Sequence, residues 1–172
     1  MAMTFVAMLL GLSLAEPAHA AGKIDKEASD TIALFKKVDP GLAKFFESSA
    51  GYAVFPKVTK GAVGIGGAHG SGVVYEKQKK VGDATLSQAT IGFQLGGQVY
   101  SELIFFESET TLENFKQSKM AFSAQVSAVA AAEGVSENAR YEHGVIVLTL
   151  ARGGLMFEAS IGGQKFKFTP AR

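Results

Sequence analysis

A chain of 172 residues with 47% hydrophobic and 19% charged positions has enough apolar side chains for one self-sufficient core, which excludes a disordered composition. Its formal charge is +1, from 17 Lys and Arg against 16 Asp and Glu. It therefore has no global field for holding nucleic acid. It has no cysteine, which excludes disulfides, thiolate metal sites, cysteine nucleophiles and lipid attachment at a lipobox.

Residues 1–20 differ in character from the rest of the chain. Met3 to Leu14 is apolar and uncharged, but shorter than the roughly 20 residues a spanning helix needs. It leads through Glu16 and Pro17 to Ala18-His19-Ala20, with small residues at the two positions a signal peptidase reads. The expectation is a signal peptide over 1–20, cleaved near Ala20, and a single domain over 21–172 that is periplasmic or secreted. The alternative is an N-terminal core helix, because the segment lacks Lys and Arg.

From Lys23 to Val38, Ile24, Ala28, Ile32, Phe35 and Val38, with Thr31 beside them, recur at helical spacing. Asp39-Pro40 ends that helix and starts a shorter one over Gly41 to Ser49, with Leu42, Phe45 and Phe46 turned inward. After Gly51 the period becomes two. Tyr52 to Phe55 reads as a short strand ended by Pro56, Lys57 to Lys60 as a basic turn, and Gly61 to Tyr75 as a strand with one face of Gly and Ala. Glu76 to Gly82 reads as a solvated hairpin turn. Leu86 to Phe106 reads as one long strand bent at Gly96-Gly97, with Ala89, Ile91, Phe93, Leu95, Val99, Leu103 and Phe105 toward the core. Gln88, Thr90, Gln94, Gln98 and Glu102 then face water or a polar ligand.

Ser108 to Lys116 suits a short helix capped by Thr110 or Thr111 and anchored by Leu112 and Phe115. Phe122 to Ala130 and Val145 to Ala151 are strand candidates, separated by the polar stretch Glu133 to Glu142. Alternation resumes from Leu155 to Ile161 and at Phe166 and Phe168 between Lys165 and Lys167. The 20 glycines, clustered in the alternating segments, imply bulges and curvature. The fold class is α+β: N-terminal helices on a curved, glycine-rich antiparallel sheet or partly closed barrel.

No enzyme is expected. The cluster Gly64 to Gly72 runs into a second strand pattern instead of a helix and lacks Gly-Lys-Ser/Thr, so it is neither a dinucleotide fingerprint nor a P-loop. His69 and His143, without cysteines, are too few for a zinc site, and no nucleophile elbow is present. The pairs Asp25 with Glu27 and Glu107 with Glu109 sit in charged surface sequence. No cofactor or metal is called for. The physical lead is the basic amphipathic start: Lys23, Lys26, Lys36, Lys37 and Lys44 beside Ile24, Phe35, Phe45 and Phe46 suit an anionic membrane interface. An ordinary surface helix packed on the sheet is the competing account.

Gly51 to Gly61, then Gly64 to Val73, Gly92 to Gln98, Tyr141-Glu142-His143-Gly144 and Ala151-Arg152-Gly153-Gly154-Leu155 together resemble the SYLF lipid-binding domain, also called the Ysc eighty-four type actin-binding domain. The resemblance spans about Ile24 to Phe168. It implies a non-enzymatic domain with helices beside a glycine-rich antiparallel sheet, associated in eukaryotes with phosphoinositide membranes and actin and commonly exported in bacteria. Export would separate this chain from cytoplasmic actin, so the implied partner is anionic phospholipid or an envelope surface. A protein partner meeting the exposed sheet face at Gln94 and Gln98 is the alternative.

Overall fold

The computed structural model describes residues 17–63, 65–91, 98–119, 129–130, 134–151, 154–157 and 163–171. The first helix, α1, spans Pro17–Val38, running without a break past the expected cleavage point. Its apolar stripe is the one the spacing predicts: Ala28 and Phe35 are fully buried, Thr31 nearly so, and Ile24, Ile32 and Val38 pack at the margin. The Thr31 hydroxyl donates to the Glu27 carbonyl at 2.7 Å, which lets a polar side chain sit in that stripe.

Asp39 ends the helix as expected and caps the next element. Its backbone is extended, and its Oδ1 accepts from the Gly41 amide at 3.0 Å. Pro40–Leu42 make one turn of 3-10 helix, followed by α2 at Ala43–Ser48. Leu42, Phe45 and Phe46 are buried.

The strands depart further from the spacing. β1 runs Gly51–Val63, straight through Pro56 and the lysines expected in a turn. Proline has no amide to donate, and the strand accommodates it with a register shift between Val54 and Lys57. The Ser101 hydroxyl donates to the Pro56 carbonyl at 2.7 Å. β2 is Ile65–Glu76 and β3 is Lys79–Ile91. The hairpin between them is only Lys77 and Gln78, both at positive φ, so Lys79 to Gly82 belong to a strand and not to a turn. β4 is Gln98–Phe106. The expected single strand over Leu86 to Phe106 is thus two strands that do not pair with each other: β3 pairs with β2 and β8, whereas β4 pairs with β1 and β6. The proposed bend at Gly96-Gly97 lies outside the described residues.

Helix α3 spans Glu109–Lys116, capped by Ser108, whose hydroxyl accepts from the Thr111 amide at 3.2 Å. The cap is therefore two or three residues earlier than expected, while Leu112 and Phe115 anchor it as the pattern predicts. β5 is Val129–Ala130, α4 is Val135–Asn138, β6 is Val145–Ala151, β7 is Gly154–Phe157 and β8 is Gln164–Pro170. The expected strand over Phe122 to Ala130 falls within the described residues only at its last two positions. Tyr141 to Gly144 forms a tight turn closed by the Glu142–Val145 bridge, with His143 and Gly144 at positive φ.

These strands form one antiparallel sheet in the order β5-β7-β6-β4-β1-β2-β3-β8, open at both edges and not closed into a barrel. It has a core on each side. On one, α1, α2 and α4 cover Tyr52, Val54, Val73, Leu103, Phe105, Ile146 and Leu148. On the other, α3 closes over Ala53, Phe55, Ile104, Phe106 and Phe166. Consequently Leu103 to Phe106 are all fully buried, and the half-wet sheet predicted for β4 is not found over these residues, while Val99, expected toward the core, is 53% exposed. Glu102, expected to face water, is fully buried and accepts from the Gln164 side-chain amide at 3.0 Å.

That contact reports the curvature. Four strand spacings separate β4 from β8, about 19 Å in a flat sheet, and two side chains do not bridge such a gap. The Phe55 and Phe166 rings, three spacings apart, also meet with centroids at 5.7 Å. The sheet therefore curls around the α3 side, and its α1 side is convex. Close packing of small residues permits the curl: Gly70 and Gly72 are buried, and a Cβ at Gly72 would lie 2.6 Å from Phe55 Cδ1.

Candidate functional site

The five lysines of the amphipathic start do not form one cluster. Lys23 and Lys26 lie along α1 and are paired one turn on, with Glu27 at 3.8 Å and Asp30 at 2.6 Å; the Asp30 hydrogen bond raises the Lys26 pKa. Such exposed pairs contribute little to stability, but they halve the free charge along the helix. The carboxylates Asp25 and Glu27, close in sequence, serve different lysines: Asp25 lies 2.5 Å from Lys80, which also stands 2.9 Å from Asp83. This triad fastens the first half of α1 to the β2–β3 hairpin. Glu109 likewise meets Lys77 at 3.3 Å.

The other three lysines gather where α1 turns into α2. The Lys36 ammonium stands 4.5 Å from the Phe46 ring centroid and that of Lys44 4.8 Å from Phe45. These aromatic faces attract the charges while leaving them at the surface. Lys44 also donates to the Ser136 carbonyl at 2.8 Å. Lys37 is exposed and has no ion-pair partner among the described residues. Leu34, one turn earlier, is 46% exposed. Three cations, an exposed leucine and the carbonyl end of a helix, which itself favours cations, share this corner.

Its shape is held by a buried junction that the sequence did not disclose. Asp39 is 4% exposed; beyond capping Gly41, its Oδ2 accepts from the Ser136 amide at 2.7 Å and its Oδ1 from the Ser136 hydroxyl at 2.8 Å. One carboxylate thus joins the α1–α2 corner to α4, 97 residues away. Above it, Phe45 and Phe46 pack on Phe105, and Phe46 meets Tyr52 edge-on. Burial pushes the Tyr52 hydroxyl up to about 12, with Tyr75 adding to the shift, and does the same for Tyr141 beside Glu107.

The remaining candidates fare differently. Gln94 lies outside the described residues. Gln98 opens β4 opposite Lys60. His69 is exposed within β2 opposite Thr59, and His143 is exposed in its turn. Among the described residues no three His, Asp or Glu stand close enough to hold a metal ion, and no helix is long and apolar enough to cross a membrane.

Residues 87–169 match the Ysc84 family, described as a Las17-binding protein actin regulator. The match is thus to a Ysc84-type, SYLF-like domain over part of the chain. Among individual proteins, the chain is 28% identical over 138 residues to Beta cell expansion factor A of Aeromonas veronii, an alignment covering 78% of this chain and 51% of that protein. The chain spans about half the length of that curated relative. The matched segment takes in β4 through β7, only the last five residues of β3 and all but the last residue of β8, while β1 and β2 sit between β4 and β3 in the sheet. Its strands therefore complete a sheet only with the preceding residues in place.

Proposed function

We propose that this chain is an exported, non-enzymatic Ysc84/SYLF-type module that adsorbs to an anionic membrane surface. The observation that carries the reading is the corner formed by Lys36, Lys37 and Lys44 beside exposed Leu34, where cations are set over aromatic rings and Asp39 fixes the turn. A lysine near an anionic bilayer contributes about 1 kcal/mol, so this corner supports reversible adsorption rather than insertion. Actin regulation, which appears in the family's description, is not carried over, because an exported chain would not meet cytoplasmic actin.

The test is co-sedimentation of the protein lacking residues 1–20 with phosphatidylglycerol-containing and with neutral vesicles. Binding should be confined to the anionic vesicles, weaken with added salt, and fall on the order of tenfold or more in the Lys36→Glu, Lys37→Glu variant. Absence of binding to anionic vesicles at low salt overturns the reading.

A further inference from the structure

Helix α1 covers only part of the convex face, and the cross-strand register identifies what it leaves bare. Directly opposed residues of an antiparallel sheet share a face. One row runs Val99, Thr59, His69, Ser87, Lys165 across β4, β1, β2, β3 and β8. All five are exposed, Val99 by 53%. The next row, toward α1, is Lys57, Ser71, Thr85, Lys167, and the row on the far side is Gly61, Gly67, Ala89. Of these only Thr85 is half-buried; the rest are exposed. Tyr52, Val54 and Val73 lie on the same face under α1.

The chemistry of this bare area is uniform. Apart from Val99 and His69, its uncharged side chains are small or hydroxyl-bearing and make it smooth, it is about 19 Å across five strands, and its charges are Lys57, Lys165 and Lys167. Among the described residues no carboxylate belongs to these rows. The nearest in register, Asp83, is one row beyond Lys167 toward α1 and is held by Lys80 at 2.9 Å. A second copy applied face to face would oppose lysine to lysine. A tightly bound protein would find no aromatic or arginine anchor here. A plane of phosphate headgroups needs neither, only positive charge and a smooth surface.

We infer that the bare convex rows carrying Lys57, Lys165 and Lys167 are a second membrane-contact face, lying against anionic phospholipid headgroups. The inference rests on the lipid reading above and extends it from the α1 corner to the sheet. Each lysine contributes about fivefold to vesicle binding, so replacing all three with glutamine should weaken it about 100-fold. Since the chain has no cysteine, Ser87→Cys gives a single labelling site in the first row, between His69 and Lys165, and Gln117→Cys, at the end of α3, gives a control.

A fluorophore on Ser87→Cys should be quenched by headgroup-labelled nitroxide lipid in phosphatidylglycerol vesicles, and one on Gln117→Cys should not. If the wild-type protein binds these vesicles but the triple glutamine variant, folded by circular dichroism, binds within about threefold of it, the sheet face is refuted and the lipid reading stands. Equal quenching at both labels refutes the face even if the triple variant does not fold. Failure of the wild-type protein to bind anionic vesicles refutes both readings. Tighter binding to poly-glutamate than to vesicles, with the same three lysines responsible, identifies an acidic polypeptide and refutes the choice of lipid.

Discussion

Replacing Asp39 with alanine removes three hydrogen bonds at once, and the structure says what each loss leaves behind. The Gly41 amide, at the exposed start of the 3-10 turn, regains water, so losing this cap costs about 1 kcal/mol. Ser136 is 3% exposed, so its amide and hydroxyl lose a charged acceptor and gain none. Bonds to charged acceptors contribute about 1.5–3 kcal/mol, and a stranded buried donor carries its own desolvation cost. The sum expected for Asp39→Ala is about 4 kcal/mol, a large part of the roughly 5–15 kcal/mol that stabilises a domain. Ser136→Ala removes only the hydroxyl bond and should cost about 1 kcal/mol. Urea unfolding followed by circular dichroism measures both, and the double variant closes a cycle whose coupling should exceed about 0.5 kcal/mol. If Asp39→Ala costs less than about 1 kcal/mol, or the two changes add without coupling, the junction does not hold the corner and the basis for its fixed shape is lost.

Gly72→Ala would press a methyl group into the Val54 carbonyl and the Phe55 ring; a destabilisation of about 3 kcal/mol is expected, and a thermal midpoint equal to wild type would contradict the packing that lets the sheet curl. At alkaline pH, Tyr52 and Tyr141 ionise near 12 in the folded state against about 10 unfolded. Their contribution is therefore whole below pH 10 and is lost as pH rises toward 12. Tyrosinate absorbance should rise together with loss of native circular dichroism; ionisation of both near 10 with the fold intact would show that they are not buried. At the acid end, the hydrogen bond from Lys116, 2.7 Å away, holds the Glu76 pKa below its ordinary value. This contribution is present above the unfolded value and is lost as pH falls through the folded one. Glu76→Gln should flatten the acid limb of the stability profile, and an unchanged limb would remove the pair from the account.

The helical half of this fold was legible because its signals are local. A 3.6-residue stripe stopped by Asp39-Pro40 fixes both the end of α1 and the start of the 3-10 turn, and Leu112 with Phe115 anchor α3 as the pattern indicates. The strands were legible as strands but not as a sheet. Alternation tells which residues share a face, and it continued in one parity from Leu86 to Phe106, so two strands separated by β1 and β2 read as one. It also does not tell which face is dry. Glu102 looked wet because it alternates with apolar neighbours; it is dry because the curl brings Gln164 from β8 against it.

The same limit explains the candidate surfaces. Lys36 and Lys37 were found from sequence because they close a helix, where position along the chain is position in space. Lys57 was assigned to a turn because Pro56 was expected to stop the strand, and Lys165 and Lys167 stood out only as flanks of Phe166. Nothing in the chain says that Lys57 lies opposite Ser71, and Ser71 opposite Thr85, until hairpin registers are known. The Lys57–Ser71 pairing depends on the shift at Pro56 and the Ser71–Thr85 pairing on the Lys77-Gln78 turn, and a one-residue slip of β1 past Pro56 would send Lys57 to the concave side. The charge of the bare rows thus joins Lys57, placed by the shift at Pro56, to Lys165 and Lys167, placed by the β3–β8 pairing, and α1 decides which rows stay bare by covering Tyr52, Val54 and Val73 while leaving Thr59, His69 and Ser71 uncovered.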